Sequence, residues 1–463
     1  MGKTKDSHKE TFMTNVTVDL SKTIGKIKPM HATNNGPKHK FAIDQRVSNL
    51  EAFKEAGIPY ARNHDAAFCS VYGGEHTVDV NNIFTNFDAD PYDPASYDFV
   101  LTDEYLQVIE LSGAKVFYRL GSKIEHWRKK YNTLPPKDFK KWAIICEHII
   151  KHYCYGWADG FHMDIEYWEI WNEPDLDADD SPNKRCWGGT AKQFYELFRI
   201  ALEHLKTCFP ELKIGGPAIA HVGNGSWLQG LLDSLGDIKP DFISWHVYGS
   251  TVEKIQRDIR RVREILDKNG LTECESHLNE WNYVRGWAGD DWIYSLHQMK
   301  NHKGAAFIAA TMLMSQSEPL DMLMYYDARS PGGMNGMFDS DIVTIILKGY
   351  YPFYMFNTLY EQKNQVEATV SDADDVWACA AAGDGGAVMM TYYNDDDGAP
   401  AKKDVKVSFK NVRSEHGVRL EYYLHDKDND LKLIREEIFT AEEFSAYITM
   451  PLHSTYLLKV VKI

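Results

Sequence analysis

The sequence predicts an α/β protein in which a (β/α)8 TIM barrel carries an appended antiparallel β-sandwich domain. Between about residues 29 and 360, eight short apolar runs alternate with longer segments of helical periodicity, as expected for a barrel. After Leu359 this alternation stops, and short strand-like runs separated by acidic turns follow. We therefore expect residues 28–360 to form the barrel, and residues 13–27 together with 361–463 to form the sandwich.

The eight apolar runs are the expected barrel strands, and the periodic segments between them are the expected helices. In residues 252–269, for example, Ile255, Ile259 and Val262 recur at helical spacing, and Gly270 follows as a C-cap. The predicted strands are residues 28–32, 60–64, 115–120, 167–172, 213–216, 241–246, 277–280 and 322–326. The predicted helices are residues 47–56, 97–111, 136–153, 191–208, 227–235, 252–269 and 293–316.

A doubly wound open sheet is the alternative architecture. Such folds often carry a glycine-rich phosphate turn after a strand, and neither a G-x-G-x-x-G nor a Walker sequence stands there in this chain. Nucleotide binding is therefore not indicated, and we expect no cofactor.

The sandwich is expected to gather strands from both ends of the chain. Residues 14–20 alternate between polar and apolar side chains, which predicts a half-buried strand before the barrel. Such a strand can pair with strands far away in the sequence, so it could complete the sandwich. The other strand-like runs of this domain are residues 376–380, 387–393, 405–409, 419–424 and 454–460.

The composition argues against several classes of partner. The 67 acidic residues outnumber the 51 basic ones, and the resulting charge of −16 disfavours nucleic acid. Seven scattered cysteines without a Cys-x-x-Cys pair indicate neither a disulfide framework nor a zinc site. No run of about 18 apolar residues predicts a membrane span. We expect a cytoplasmic protein, although a signal peptide removed beforehand would leave the same sequence, and a homo-oligomer is compatible with it.

Two similar motifs place a glutamate at the end of a predicted strand. The fourth strand runs into Asn172-Glu173-Pro174, and the seventh ends at Asn279-Glu280. The carboxyl ends of barrel strands meet at one mouth, where barrel enzymes carry their active sites. Alone, either glutamate could be a structural ion-pair partner. Two carboxylates at one mouth can instead cleave a glycosidic bond, one as acid and the other as nucleophile or base.

The order of these motifs resembles that of the clan A retaining glycoside hydrolases, and most closely glycoside hydrolase family 39. The resemblance rests on Trp171-Asn172-Glu173-Pro174, on Trp245-His246-Val247-Tyr248 after the sixth strand, and on Asn279-Glu280-Trp281. It extends to residues 24–37 and 337–353, and so covers nearly the whole chain. This family of β-xylosidases and α-L-iduronidase implies a retaining glycosidase that acts on a glycoside or oligosaccharide.

The resemblance also implies roles for the two glutamates and their neighbours. Glu173 would be the general acid/base and Glu280 the nucleophile. Asn172 would hydrogen-bond the sugar 2-hydroxyl. His246 would orient the acid/base, and Tyr248 would orient the nucleophile.

Four further residues are substrate-binding candidates. Arg62 and His64 look like the family's pair beneath the sugar, and Arg62 could hold Glu280 ionised. Tyr326 stands where many relatives carry tryptophan, and Trp281 is one of four tryptophans that could stack on a sugar. The sugar identity stays open because Asp65 also departs from the family pattern. The other three tryptophans are Trp127, Trp187 and Trp287.

Several alternatives remain open at this point. The first expectation is a β-xylosidase-like exo activity on plant-derived oligosaccharides, and the rivals are a uronidase, an arabinosidase, an endo-glucanase or an inactive carbohydrate-binding protein. A uronidase should present cations at the mouth, for which Lys123, Arg285 and Arg329 are candidates. We expect no metal site, and we expect Glu169 to lie between the barrel and its helices, because it points away from Ile170.

Overall fold

The computed structural model describes residues 13–39, 48–64, 78–223, 225–329 and 332–463. One compact unit consists of Lys28–Asn357, and the described residues of Met1–Ile27 form the other with Thr358–Ile463. Within the described ranges, no helix combines the length and the apolar character needed to cross a membrane. The six cysteines in these ranges are free thiols.

The larger unit is a closed barrel of eight parallel strands, which confirms the predicted fold. The first strand of the chain, β1 (Thr14–Lys26), belongs to the other unit, and β2 to β9 close the barrel in sequence order. The barrel strands are β2 (Ala32–Asn34), β3 (Tyr60–Arg62), β4 (Lys115–Leu120), β5 (Tyr167–Ile170), β6 (Lys213–Ile219), β7 (Phe242–Gly249), β8 (Glu275–Tyr283) and β9 (Met322–Tyr325).

The first barrel strand begins later than residues 28–32, where it was predicted. The N–H of Met30 donates to the carbonyl of Lys28 (2.8 Å), so the chain turns there before it enters the sheet. The first residues of the apolar run that predicted this strand therefore form a turn.

Large side chains fill the barrel interior. Phe117, Tyr167, Phe242 and Met324 come from different strands and pack on one another. Residues contributed by strands around a closed barrel can meet only inside it. Because Tyr167 faces inward, alternation along β5 turns Glu169 inward as well.

Helices follow the barrel strands, as the alternation predicted. They are α1 (Leu50–Ala56), α2 (Val80–Ile83), α3 (Val100–Leu111), α4 (Phe139–Tyr155), α5 (Ala191–Cys208), α6 (Ser226–Leu235), α7 (Val252–Lys268), α8 (Gly289–Met299), α9 (His302–Gln316) and α10 (Tyr351–Gln362).

One helix prediction is wrong: residues 293–316 form two helices rather than one. Asn301 has an extended backbone between α8 and α9, and its side chain accepts a hydrogen bond from the N–H of Lys303 (2.9 Å). Asparagine at this position satisfies a free N–H of the new helix, which makes it an N-cap. The apolar periodicity continues across the break and hid it.

The smaller unit contains a nine-stranded sheet around its own apolar core. The strand order is β15-β14-β17-β12-β11-β10-β1-β13-β16, and all neighbours are antiparallel except β1 and β13. The sequence did not predict β10, β15 or β16; β15 is mostly exposed and lacks an apolar alternation. The tail strands are β10 (Asn364–Ser371), β11 (Val376–Ala382), β12 (Gly386–Tyr392), β13 (Lys402–Lys410), β14 (Val418–His425), β15 (Lys432–Phe439), β16 (Phe444–Pro451) and β17 (Ser454–Lys462).

Candidate active site

Polar side chains from four barrel strands meet beneath an open cleft of about 1050 Å³. They lie in the carboxyl-terminal halves of β3, β5, β7 and β8 or just after them, on the side where barrel enzymes place their chemistry. The described residues lining the cleft include His64, Asn172, Glu173, His221, His246, Tyr248, Glu280, Trp287 and Tyr326.

Arg62, at the end of β3, connects the polar residues beneath the cleft. Its side chain is fully buried, and its Nη2 donates to Asn172 Oδ1 (2.6 Å). Its Nη1 donates to Glu280 Oε1 (2.8 Å) and to Asn34 Oδ1 (2.9 Å). Its Nε donates to Glu169 Oε2 (2.7 Å). A guanidinium with this many acceptors is held in one orientation, and it fixes its partners in turn.

Glu169 corrects an expectation from the sequence. It lies inside the barrel rather than between the barrel and its helices, and its Oε1 accepts hydrogen bonds from Ser244 and Asn279 (both 2.5 Å). The expectation took Ile170 to face the barrel interior, whereas alternation from Tyr167 turns Glu169 inward. After β5, Trp171 adopts a left-handed backbone (φ 77°), which interrupts the alternation. Asn172 and Glu169 can therefore both reach Arg62.

The Glu280 carboxyl is enclosed by donors. Besides the Arg62 contact, Tyr248 Oη donates to Glu280 Oε2 (2.8 Å), and His64 Nε2 lies 3.7 Å from Oε1. Burial raises the pKa of Glu280, while the charge of Arg62 and the hydrogen bond from Tyr248 lower it. These contacts stabilise the carboxylate form and hold it toward the cleft.

Glu173 stands in a less polar environment. Its backbone is left-handed (φ 48°), and its N–H donates to the carbonyl of Ala218 (3.0 Å), which turns the side chain into the cleft. The Cys186 Sγ lies 3.8 Å from Oε2. Burial raises the pKa of Glu173 to about 7, against the opposing charge of Arg62. A carboxyl with this pKa holds its proton far better near neutral pH than an ordinary glutamate.

His246 lies between the two carboxyl groups. Its Nδ1 is 2.8 Å from Glu173 Oε1 and 3.4 Å from Glu280 Oε2. Burial lowers the pKa of His246 to about 4, so the ring is neutral at pH 7 and carries a single N–H. An Nδ1–H donates to Glu173 when that carboxyl is ionised, which fixes its rotamer.

The two carboxyl groups are close to each other. A carboxylate oxygen of Glu173, one of Glu280 and a ring nitrogen of His246 all lie within 4.8 Å of one another. Three such atoms could also be metal ligands, but the Arg62 guanidinium 2.8 Å from Glu280 opposes a second cation there. An acidic carboxyl beside an ionised one can instead transfer a proton while its neighbour attacks.

Trp281 does not lie where a sugar could stack on it. Its side chain is fully buried, and its ring packs at 5.6 Å from Tyr325 and 5.9 Å from Phe307 of α9. Because side chains alternate along β8, Glu280 faces the cleft and Trp281 faces the helix layer. The expectation that Trp281 contacts substrate therefore has no support in this geometry.

Other aromatic candidates divide between core and cleft. Trp187 is buried, and Trp127 is exposed but is not among the described lining residues. Trp287 lines the cleft, is 60% exposed and packs edge-on against Tyr248 (5.0 Å). Tyr326 also lines the cleft, 6.2 Å from the His64 ring. Asp65, which departs from the family pattern, lies outside the described residues.

The cleft has a cationic side that the sequence did not identify. Lys123, Arg285 and Arg329 are not among its described lining residues, whereas Lys254, Arg257 and Arg261 of α7 are. These three recur at helical spacing on one face, a pattern visible in the sequence once α7 is known to border the mouth.

Comparisons with known proteins agree with this geometry. The sequence profile of glycosyl hydrolases family 39 matches residues 14–322. A β-xylosidase of Caldicellulosiruptor saccharolyticus is 27% identical over 250 residues, covering 50% of this chain and 46% of that protein. A β-xylosidase of Geobacillus stearothermophilus is 25% identical over 178 residues, covering 33% of each chain. The alignments thus span less than half of these relatives.

The fold is shared over the full length with a solved structure. The glucosidase from Croceicoccus marinus superposes with a TM-score of 0.79 over 98% of this chain and 100% of its own, at 21% identity. That likeness concerns the fold, whereas the profile match covers two thirds of the sequence. The chain belongs to glycosyl hydrolases family 39.

Proposed function

We propose that this protein is a retaining glycoside hydrolase in which Glu173 is the general acid/base and Glu280 is the nucleophile. The observation that carries the proposal is the proximity of two buried carboxyl groups, within 4.8 Å between their oxygens, of which Glu280 receives the hydrogen bonds of Arg62 and Tyr248. Retaining glycosidases hold these groups roughly 5–5.5 Å apart, whereas inverting ones leave room for a water at roughly 6.5–9.5 Å.

In the first step, the Glu280 carboxylate attacks the anomeric carbon as the bond to the leaving oxygen breaks. Glu173 gives its proton to that oxygen, so the alcohol leaves neutral and a glycosyl-Glu280 ester remains. In the second step, ionised Glu173 takes a proton from water, and the water oxygen attacks the anomeric carbon. Glu280 leaves as a carboxylate, which restores both groups.

Asn172 and Arg62 support the transition state in this mechanism. Because Asn172 Oδ1 accepts from Arg62 (2.6 Å), its Nδ2 is directed as a donor toward the cleft. A donor at this position suits the sugar 2-hydroxyl, whose hydrogen bonds strengthen as the oxocarbenium ion develops. Arg62 also favours the ionised form of Glu280, against the burial that raises its pKa.

The first expectation for substrate is a β-xyloside cleaved in an exo manner, because the two aligned sequence relatives are both β-xylosidases. A second candidate is a uronic-acid-containing substrate. It is favoured by the cationic side of the cleft, where Asp258 pairs with Lys254 and Arg261, and Arg257 could receive a sugar carboxylate.

A panel of nitrophenyl glycosides tests both substrates. We expect the β-xyloside to react fastest; faster reaction of a uronide would favour the second candidate. If no member of the panel reacts while oligosaccharides still bind, the chain is a binding protein and the proposal fails. Glu280→Gln should abolish turnover, and Glu275→Gln at the opposite end of β8 serves as the matched control that retains it.

A further inference from the structure

A second cluster of ligand-type side chains lies between helices α4 and α5, outside the cleft. His204 and Cys208 are four residues apart on α5 and share one helix face, and Glu147 on α4 faces them. The Glu147 Oε2 is 2.7 Å from His204 Nε2, and Cys208 Sγ is 3.8 Å from the same nitrogen. A carboxylate, an imidazole and a thiol therefore converge on one point.

We propose that Glu147, His204 and Cys208 form a binding site for a thiophilic divalent cation of the zinc class. One ligand atom from each residue lies within 4.8 Å of the others. Bond lengths of about 2.0–2.3 Å to zinc place tetrahedral ligand atoms roughly 3.3–3.6 Å apart. The separations of 2.7 and 3.8 Å from His204 lie on either side of this range, and the carboxylate and thiol atoms lie within 4.8 Å of each other, so shifts of about 1 Å would admit the ion.

The surroundings suit a metal that enters from solvent. Cys208 is exposed, and the His204 side chain is 31% exposed. A surface cleft of about 500 Å³, bordered by Cys208 and Lys151, lies beside the cluster and leaves space for a water as fourth ligand. Lys151 pairs with Glu147 Oε1, which leaves Oε2 directed toward His204.

The charges present are compatible with such an ion. Metal binding would release the Cys208 thiol proton and use the imidazole in its neutral form. Glu147 and the new thiolate would then offset the two charges of the cation, and Lys151 would remain paired with the outer carboxylate oxygen. Without a metal, Glu147 and His204 are joined by a hydrogen bond of 2.7 Å that links the two helices.

Titration of the full-length, reduced protein with Co²⁺ and then Zn²⁺ tests the site. Co²⁺ bound by a thiolate gives a ligand-to-metal charge-transfer band, and we expect one equivalent to produce it and Zn²⁺ to remove it. Cys208→Ser should abolish the band. Loss of even an outer-shell partner weakens metal binding roughly 10- to 100-fold, so losing a ligand should weaken zinc binding at least tenfold.

Two control variants separate this cluster from other thiols. Cys186 is buried beside Glu173, another place where a thiol lies near a carboxyl group, so Cys186→Ser should keep the band. Cys154→Ser, on α4 but outside the cluster, should keep it too. A band that survives in Cys208→Ser, or one lost in Cys186→Ser, overturns the proposal, as does binding of no metal by the unsubstituted protein. These outcomes do not depend on glycosidase activity.

Discussion

At the scale of single residues, Glu169 and Arg62 illustrate what a sequence reveals about this site. The two cleft glutamates could be predicted from their motifs, although β8 continues to Tyr283 rather than ending at Glu280 as expected. The expected position of Glu169 was wrong, because the left-handed backbone of Trp171 breaks the alternation between Glu169 and the cleft residues Asn172 and Glu173. A left-handed backbone at a tryptophan cannot be predicted from the sequence, whereas a glycine at the same position would have indicated one.

The buried pair Arg62–Glu169 should be essential for stability. In Glu169→Gln, the Arg62 guanidinium loses one of its two carboxylate partners inside the barrel. Because breaking a buried ion pair is strongly destabilising, we expect the free energy of unfolding to fall by about 3–5 kcal/mol. Glu166→Gln removes a half-buried partner of Lys213 and should cost at most about 1 kcal/mol. Urea unfolding measures both variants. Equal decreases in the free energy of unfolding of the two variants would mean that Glu169 does not stabilise the site.

The environment of Glu173 predicts a distinctive pH dependence. With a pKa of about 7, the acid loses its proton as the pH rises through neutrality, so kcat/KM should fall on the alkaline side. Glu173→Gln cannot titrate and should lose this fall, along with roughly 10²–10⁴-fold of the rate on substrates with poor leaving groups. Both proteins are compared on an aryl glycoside whose leaving group still benefits from protonation but is good enough for the variant to remain measurable. An unchanged alkaline limb in Glu173→Gln would assign that titration to another group.

At the scale of helices and strands, the break between α8 and α9 shows that apolar periodicity alone can predict one helix where the chain forms two. Apolar side chains continue at helical spacing through residues 293–316, and only Asn301 marks the boundary. Asparagine is both a common N-cap and a tolerated helix residue, so its presence alone does not determine where a helix ends. The strands were easier to predict because their apolar runs are bounded by turns.

The cap at Asn301 should contribute measurably to stability. Asn301→Ala removes the acceptor of the Lys303 N–H and should lower the free energy of unfolding by about 1 kcal/mol. Gln298→Ala removes the hydrogen bond that Asn301 Nδ2 donates, but leaves the cap in place, and should cost less. Thermal unfolding of the two variants compares them. A larger loss in Gln298→Ala would show that the cap is not what stabilises the start of α9.

At the scale of the whole molecule, the nine-stranded sheet shows that a local sequence pattern does not predict which strands pair. Its first strand, β1, precedes the barrel, yet it pairs with β10 and β13 more than 330 residues later. The alternation of residues 14–20 predicted a strand but not its neighbours, which depend on the fold of the entire chain. The exposed edge strand β15 was missed for a different reason, because it buries too little to need an apolar pattern.

The position of β1 inside the sheet predicts a sharp contrast between adjacent residues. Val16 is fully buried in the core of the sheet, whereas Thr17 points to its other, partly exposed face. Val16→Asp places an unpaired carboxylate in that core and should destabilise the unit by several kcal/mol, while Thr17→Asp should be tolerated. Circular dichroism melting curves distinguish them. Similar melting curves would contradict the inward orientation of Val16.

The central claim is that Glu280 forms a covalent intermediate while Glu173 supplies and recovers the proton. Proton NMR of the first sugar released from the best nitrophenyl substrate tests this directly, because the anomeric signals separate before mutarotation mixes them. Two displacements should give a product with the same anomeric configuration as the substrate. A product that appears first with the opposite configuration would mean direct attack by water, and would contradict the assignment of Glu280 as nucleophile.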